Sequence, residues 1–210
     1  MDVVFTSSDA VRNGIGPENA PLVVMPFVDA RLARRSATQL AARAGVAGQI
    51  LCVHDEHRIG FVAIANAAFG CSRSPQFAYV AQDAFAGRNW LALAQARLAE
   101  RDGGLLGFND GKWAGRLAAF GLVQREWARE NYGGELFHHD YKSHYADVEL
   151  TLLAMQQLKY RFEPLALLVE VDWKKEEASV SATDRLLYYK RAQGHFDGRV
   201  TNAGLRRMFR

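Results

Sequence analysis

Two cysteines in 210 residues, Cys52 and Cys71, stand without CxxC spacing, which excludes a disulfide framework and a zinc knuckle. Each lies in or beside an apolar stretch and reads as a small buried hydrophobe. No apolar run reaches the roughly 20 residues of a membrane-spanning helix, and the amino terminus, Met1-Asp-Val-Val-Phe-Thr-Ser-Ser-Asp9, places an acid at position 2. A cytoplasmic chain with no transmembrane segment is expected. The net charge of +3 is too small an excess for a nucleic-acid partner, yet it suits an anionic ligand such as a nucleotide diphosphate. No repeat or low-complexity tract interrupts the chain. Gly14-Ile-Gly16 lacks the third glycine of a dinucleotide fingerprint and precedes no helix. What is present, 49% hydrophobic and 23% charged residues, suits an ordinary globular protein with a real core, and one domain over residues 1–210 is expected.

Strand and helix signals alternate along the chain. Residues 1–20 form a lead-in whose Asn13–Asn19 piece has turn chemistry. Leu22–Val28 is a strand-length apolar run, Asp29–Ala44 follows with a helical pattern that stops at Gly45, and Gln49–Val53 is a second strand. That strand ends in five polar residues, His54-Asp-Glu-His-Arg58. Gly60–Phe69 reads as a helix, although Phe61, Val62 and Ile64 would also suit a strand. Phe77–Ala81 is a third strand, Asp83 follows at its carboxyl end, and a helix opens at Asn89. Leu105–Phe108 and Leu117–Val123 read as further strands around the polar loop Asn109–Trp113, with Gln124–Asn131 a short helix. Three histidines and three acids then fall between His138 and Leu150, ahead of a helix through Leu158. Phe162–Val171 is extended, Asp172–Ser181 charged and exposed, and Ala182–Gln193 helical. Leu205–Arg210, basic and apolar together, is either a frayed tail or a docking segment for an acidic partner or the inner membrane face. Alternation of this kind predicts an α/β fold with a mostly parallel central sheet flanked by helices.

In such sheets ligands sit outside the carboxyl ends of strands, which is where Asp55 and Asp83 fall. A lone aspartate there either holds a cation or a substrate hydroxyl, or caps the next helix. The motifs, taken in order, resemble those of family 2 glycosyltransferases of the GT-A fold. Val23–Val28 is similar to their first strand, His54-Asp55 takes the place of the paired acids after the second, and Gly60–Asn66 resembles their glycine-to-asparagine helix. Tyr79–Trp90 resembles their metal-site segment, and His144-Tyr-Ala-Asp-Val-Glu-Leu150 their acceptor-side motif. The likeness spans about residues 20–165, with 166–210 a carboxyl-terminal extension.

The resemblance implies a GT-A nucleotide-diphospho-sugar transferase that passes a sugar to an acceptor hydroxyl, with inversion and with Mn2+ or Mg2+. It assigns Pro26, Phe27, Asp55, Arg58, Asn66 and Asp83 to the nucleotide sugar. Asp83 would bind the cation, with His138 as a further metal ligand, and Asp147 would be the catalytic base. Trp113, Tyr141, His144 and Glu149 fall on the acceptor side. The acceptor is a glycan, a lipid-linked group or another hydroxyl, and homo-oligomerisation stays open. Bland readings stand beside these: Asp147 as a helix N-terminal acid, Trp113 and Tyr141 as core aromatics, and the histidines as surface groups. Three departures are visible. The metal motif is Gln82-Asp83 where two acids are usual, Ala146 replaces the acid before the base, and the short link between the second strand and Gly60 implies one strand fewer. The alternative is a nucleotide- or sugar-binding protein on the same fold with weakened turnover.

Overall fold

The computed structural model describes residues 1–11, 15–100, 102–170 and 181–209. The start of the Asn13–Asn19 turn and most of the charged Asp172–Ser181 stretch lie outside the described residues. Four strands, β1 (Asp2–Ser7), β2 (Leu22–Phe27), β3 (Gln49–His54) and β4 (Gln76–Tyr79), pair in parallel in the spatial order β1-β3-β2-β4. The sheet continues through β7 (Gly121–Gln124), β6 (Leu105–Asn109), β8 (Tyr160–Glu170) and the short β5 (Ala84–Ala86). β7 is antiparallel to both β4 and β6, so β4 and β6 run the same way. β8 is parallel to β6 and antiparallel to β5, which makes the sheet mixed.

β2 is buried at every position because helices cover both sides of it. Leu22 and Val24 point to one face, where α2 (Phe61–Cys71) and α5 (Ala146–Gln156) complete the core. Val23 and Met25 point to the other, against α1 (Ala30–Arg43) and α3 (Trp90–Ala99). Asp29 caps α1 by accepting a hydrogen bond from the Leu32 amide at 3.0 Å. Cys52 is fully buried and burial pushes its thiol up to about 12, so it behaves as the inert hydrophobe expected. The short α4 (Arg125–Arg129) follows β7, and α6 (Ala182–Gln193) and α7 (Ala203–Arg207) close the chain.

Four expectations change. The lead-in is not merely a turn: residues 2–7 form β1 and pair in parallel along the outer side of β3. The Leu117–Val123 strand shrinks to β7, because Ala118 makes no ladder bonds. Its carbonyl accepts from the Tyr79 hydroxyl at 2.7 Å, and its amide donates to Thr151 Oγ1 at 3.1 Å. Between Asp83 and the helix at Trp90 lies β5, and Asn89 occupies the cap position, so Asp83 does not cap α3. The carboxyl terminus is not frayed. It folds into α7, with Leu205, Met208 and Phe209 packed on the core and Phe209 edge-on to Trp113 at 5.9 Å.

Gly60 is placed by need. Its φ is +102°, and a β-carbon there would sit 2.5 Å from the Lys142 carbonyl oxygen, which accepts the Val62 amide. Gly60→Ala is therefore expected to lose about 1–3 kcal/mol of stability, read as a lower denaturation midpoint with an unchanged m-value. A midpoint equal to wild type would show that the α2 start has slack that this packing does not suggest.

Candidate active site at the carboxyl edge of the sheet

The carboxyl ends of β2, β3, β4 and β6 open on one edge, because these strands run in the same direction. Phe27 ends β2 and stacks on His54, which ends β3, with ring centroids 5.1 Å apart and planes 18° from parallel. Phe5 of β1 meets Phe27 edge-on at 5.7 Å, and Arg34 lies over the Phe5 ring. Pro26 is buried inside β2 and shapes the strand from within.

Asp55 follows β3 and folds the next loop back on itself. Its two carboxylate oxygens accept from the Ile59 amide at 2.8 Å and the Gly60 amide at 3.0 Å. The carboxylate thereby builds the loop that carries Arg58, an exposed residue in the left-handed region with φ 54°. Asn66, on α2, commits its amide to the Phe137 backbone: Nδ2 donates to the carbonyl and Oδ1 accepts the amide, both at 2.9 Å. It clamps α2 to the loop before α5.

Gln82, next to Asp83, serves the backbone. Its Oε1 accepts two amides, Val28 and Asp29, each at 2.9 Å, and so ties the end of β4 to the end of β2. An amide oxygen bonded twice to backbone is taken up in structure. Asp83, next in the chain, is only 1% exposed.

Asp147 sits in the first turn of α5, and the same edge surrounds it. Its charge acts on the hydroxyl of Tyr79 at the end of β4, and on it acts Asp110, just past the end of β6. The Thr151 hydroxyl donates to the Asp147 carbonyl at 2.7 Å while receiving the Ala118 amide, so the turn is held against the loop at 118. Burial, aided by the negative Asp110, pushes the half-buried Asp147 carboxyl up to about 6, against backbone hydrogen bonds from Val148 and its own amide that pull it down. Asp110 is 7% exposed and accepts the Lys112 and Trp113 amides at 2.9 and 2.8 Å. Sequence reasoning did not single out Asp110. Its signal was the polar, glycine-bearing loop that begins where β6 stops. Trp113 stands half-buried beside it, under the Lys112 ammonium.

The rest of the acceptor set lies elsewhere. Glu149 is 1% exposed and takes the Arg191 guanidinium of α6 through two hydrogen bonds of 2.7 Å, while the buried Tyr141 hydroxyl donates to it at 2.9 Å. Both polar groups face one another inside the protein. His144 and its two predecessors present their amides to the buried Asp184 carboxylate of α6 at 2.9–3.0 Å. His138 stacks on His139 and meets Tyr132 and Tyr141 edge-on, and burial holds its imidazole below the usual value.

Among the described residues, one group of three ligating side chains lies close enough to share an ion: Asp9, Glu56 and His57, all exposed, with ligand atoms within 4.8 Å of one another. Neither Asp83 nor His138 belongs to it. Asp9 holds His57 Nε2 at 3.0 Å and raises its pKa through that bond. The group stands on the β1–β3 side of the same edge.

No protein-family model matches the sequence, and neither does any curated protein. Solved structures do. A mannosyltransferase from Pyrobaculum calidifontis, in complex with GDP-Man and Mn2+, superposes with a TM-score of 0.53 at 17% identity over 87% of this chain. The chain spans 64% of that protein's length. A glycosyltransferase involved in glycosylation of the major capsid of PBCV-1 aligns over 80% of this chain at 11% identity, with a TM-score of 0.45. The described chain thus has a mixed α/β fold of the kind found in the Pyrobaculum mannosyltransferase.

Proposed function

We propose that the protein is a glycosyltransferase that moves a sugar from a nucleotide-diphosphate donor to an acceptor hydroxyl, with inversion at the anomeric carbon. The observation that carries this reading is Asp147: a half-buried carboxyl tuned to about 6, beside Asp110, at the edge that also holds Asp83. A base near neutrality is matched to taking a proton from an alcohol at physiological pH. The likeness of fold to a sugar-nucleotide enzyme supports the same assignment.

In this mechanism the nucleotide lies across the ends of β2 and β3, against Phe27 and His54. The acceptor oxygen attacks the anomeric carbon as the bond from that carbon to the diphosphate oxygen breaks, and the acceptor proton passes to Asp147. Mg2+ or Mn2+, when bound, would neutralise the departing diphosphate. The residues fit such an ion in one respect: hard cations of this kind take one or two carboxylates and complete their shell with phosphate oxygens and water. Asp83 offers one carboxylate, and Gln82 offers none. Trp113, beside Asp110, would stack on the acceptor.

Asp83→Asn removes that carboxylate and is expected to weaken nucleotide-diphosphate binding only when Mn2+ is present. Calorimetric titration of uridine and guanosine diphosphates with and without Mn2+ measures this. An unchanged Mn2+ dependence would move the ion to another group, with Asp9, Glu56 and His57 the first to test. A second reading, a binding protein with weakened turnover, is favoured by the engagement of Gln82 in backbone bonds and by Ala146. Tight nucleotide binding without any donor turnover would select it.

A further inference from the structure

The opposite edge of the sheet carries an arrangement that this chemistry does not use. β4 begins and β7 ends there, and Arg125, the first residue after β7, turns into the interior with 9% exposure. Its guanidinium donates to the carbonyls of Phe69 and Ser74 and to Ser72 Oγ, and it lies over the Phe69 ring at 4.3 Å. An arginine has five N–H groups, and these contacts use three, which leaves two. All three acceptors are neutral. A cation this buried normally meets a carboxylate, yet among the described residues Arg125 has none.

The charge that acts on it is instead a like one. Burial brings the Arg125 pKa down to about 10, and Arg129, one turn along α4 and exposed, adds to that shift. Both line a recess of about 360 Å³ together with Ser72, Arg73 and Gly134. Arg73 adds a third guanidinium, loosely paired at 3.7 Å with the exposed Glu18. Glu126 and Glu130 line the neighbouring hollow on the far side of Arg129 and not this recess.

We propose that this recess binds a small soluble phosphate-bearing molecule, with Arg125 at its base and Arg129 closing on the phosphate from the rim. Two adjacent guanidiniums repel each other until an oxyanion lies between them, and a phosphate dianion matches both in charge and in bidentate geometry. The recess excludes a flat membrane surface, because Arg125 lies at its buried end. The site is separate from the carboxyl edge, since Arg125 and Asp83 stand at opposite ends of the strands.

The test is a titration of the full chain with inorganic phosphate at constant ionic strength, chloride replaced in step, followed by calorimetry and thermal denaturation. Wild type is expected to show saturable binding and a rise in Tm. Arg129→Ser, an exposed change that leaves the fold intact, should weaken binding about tenfold or more, the loss of one charged hydrogen-bonding partner. A Tm rise no greater than with chloride, or phosphate binding that Arg129→Ser leaves unchanged, would overturn the proposal.

Discussion

Asp147→Asn is expected to cut turnover by about a hundred- to ten-thousandfold, the usual worth of a positioned base, and at the same time to raise the melting temperature at pH 7.5. Both effects come from one carboxyl. Its pKa in the folded protein is about 6 against 3.8 for the free side chain, so between these values the folded state holds more protons than the unfolded one. Stability then falls as pH rises through that window, and the full penalty is present above pH 6. At most this amounts to about 3 kcal/mol, and screening at a half-buried site reduces it. The amide carries no charge and escapes the penalty. Turnover of the wild type should rise with pH through about 6 as the carboxylate forms, whereas its Tm difference from the variant should vanish near pH 4. Asp110→Asn keeps the acceptor for the Lys112 and Trp113 amides but removes the negative charge facing Asp147, so the acid limb of kcat should move to lower pH. A variant at position 147 that is less stable than wild type at pH 7.5, or as active, would remove the base from that position.

The largest loss of stability is expected from Glu149→Ala. Glu149 is 1% exposed and the Arg191 side chain 9%, so deleting the carboxylate strands a buried guanidinium whose remaining partner is the exposed Asp197. Breaking a buried pair of this kind costs about 3–5 kcal/mol. Denaturant unfolding should show the drop, and kcat per folded molecule should stay close to wild type, because Glu149 faces α6. The double variant Glu149→Met, Arg191→Met should recover most of the loss, since neither charge is then left unpaired. A stable Glu149→Ala protein with a strongly raised acceptor KM would return Glu149 to the acceptor side.

What could be read from the sequence follows the range of the forces involved. β2 and β3 were legible because burial on both faces leaves an unbroken apolar run, and α1 because Asp29 caps it three residues before Leu32. The carboxyl-edge position of Asp83 followed from strand length alone. The rest depends on partners far along the chain. β1 has Val3 and Val4 more than one-third exposed and is a strand because β3 lies beside it. β5 is three residues long and exists through β8. Glu149 sits on the same local pattern as Asp147, and only the distant Arg191 tells them apart. Gln82 likewise looked like a lost ligand, while its oxygen joins β4 to β2 across more than fifty residues.

The most direct test of the central claim is a donor screen with purified wild type and Asp147→Asn, using UDP-, GDP- and dTDP-sugars with Mn2+ and reading the nucleotide released. The expected result is release from one nucleotide class by the wild type, about a hundredfold or more slower in the variant, with donor affinity the same in both. Release at equal rates by the two proteins, or no nucleotide binding by either, would contradict a sugar-transfer site built on the carboxylates of this edge.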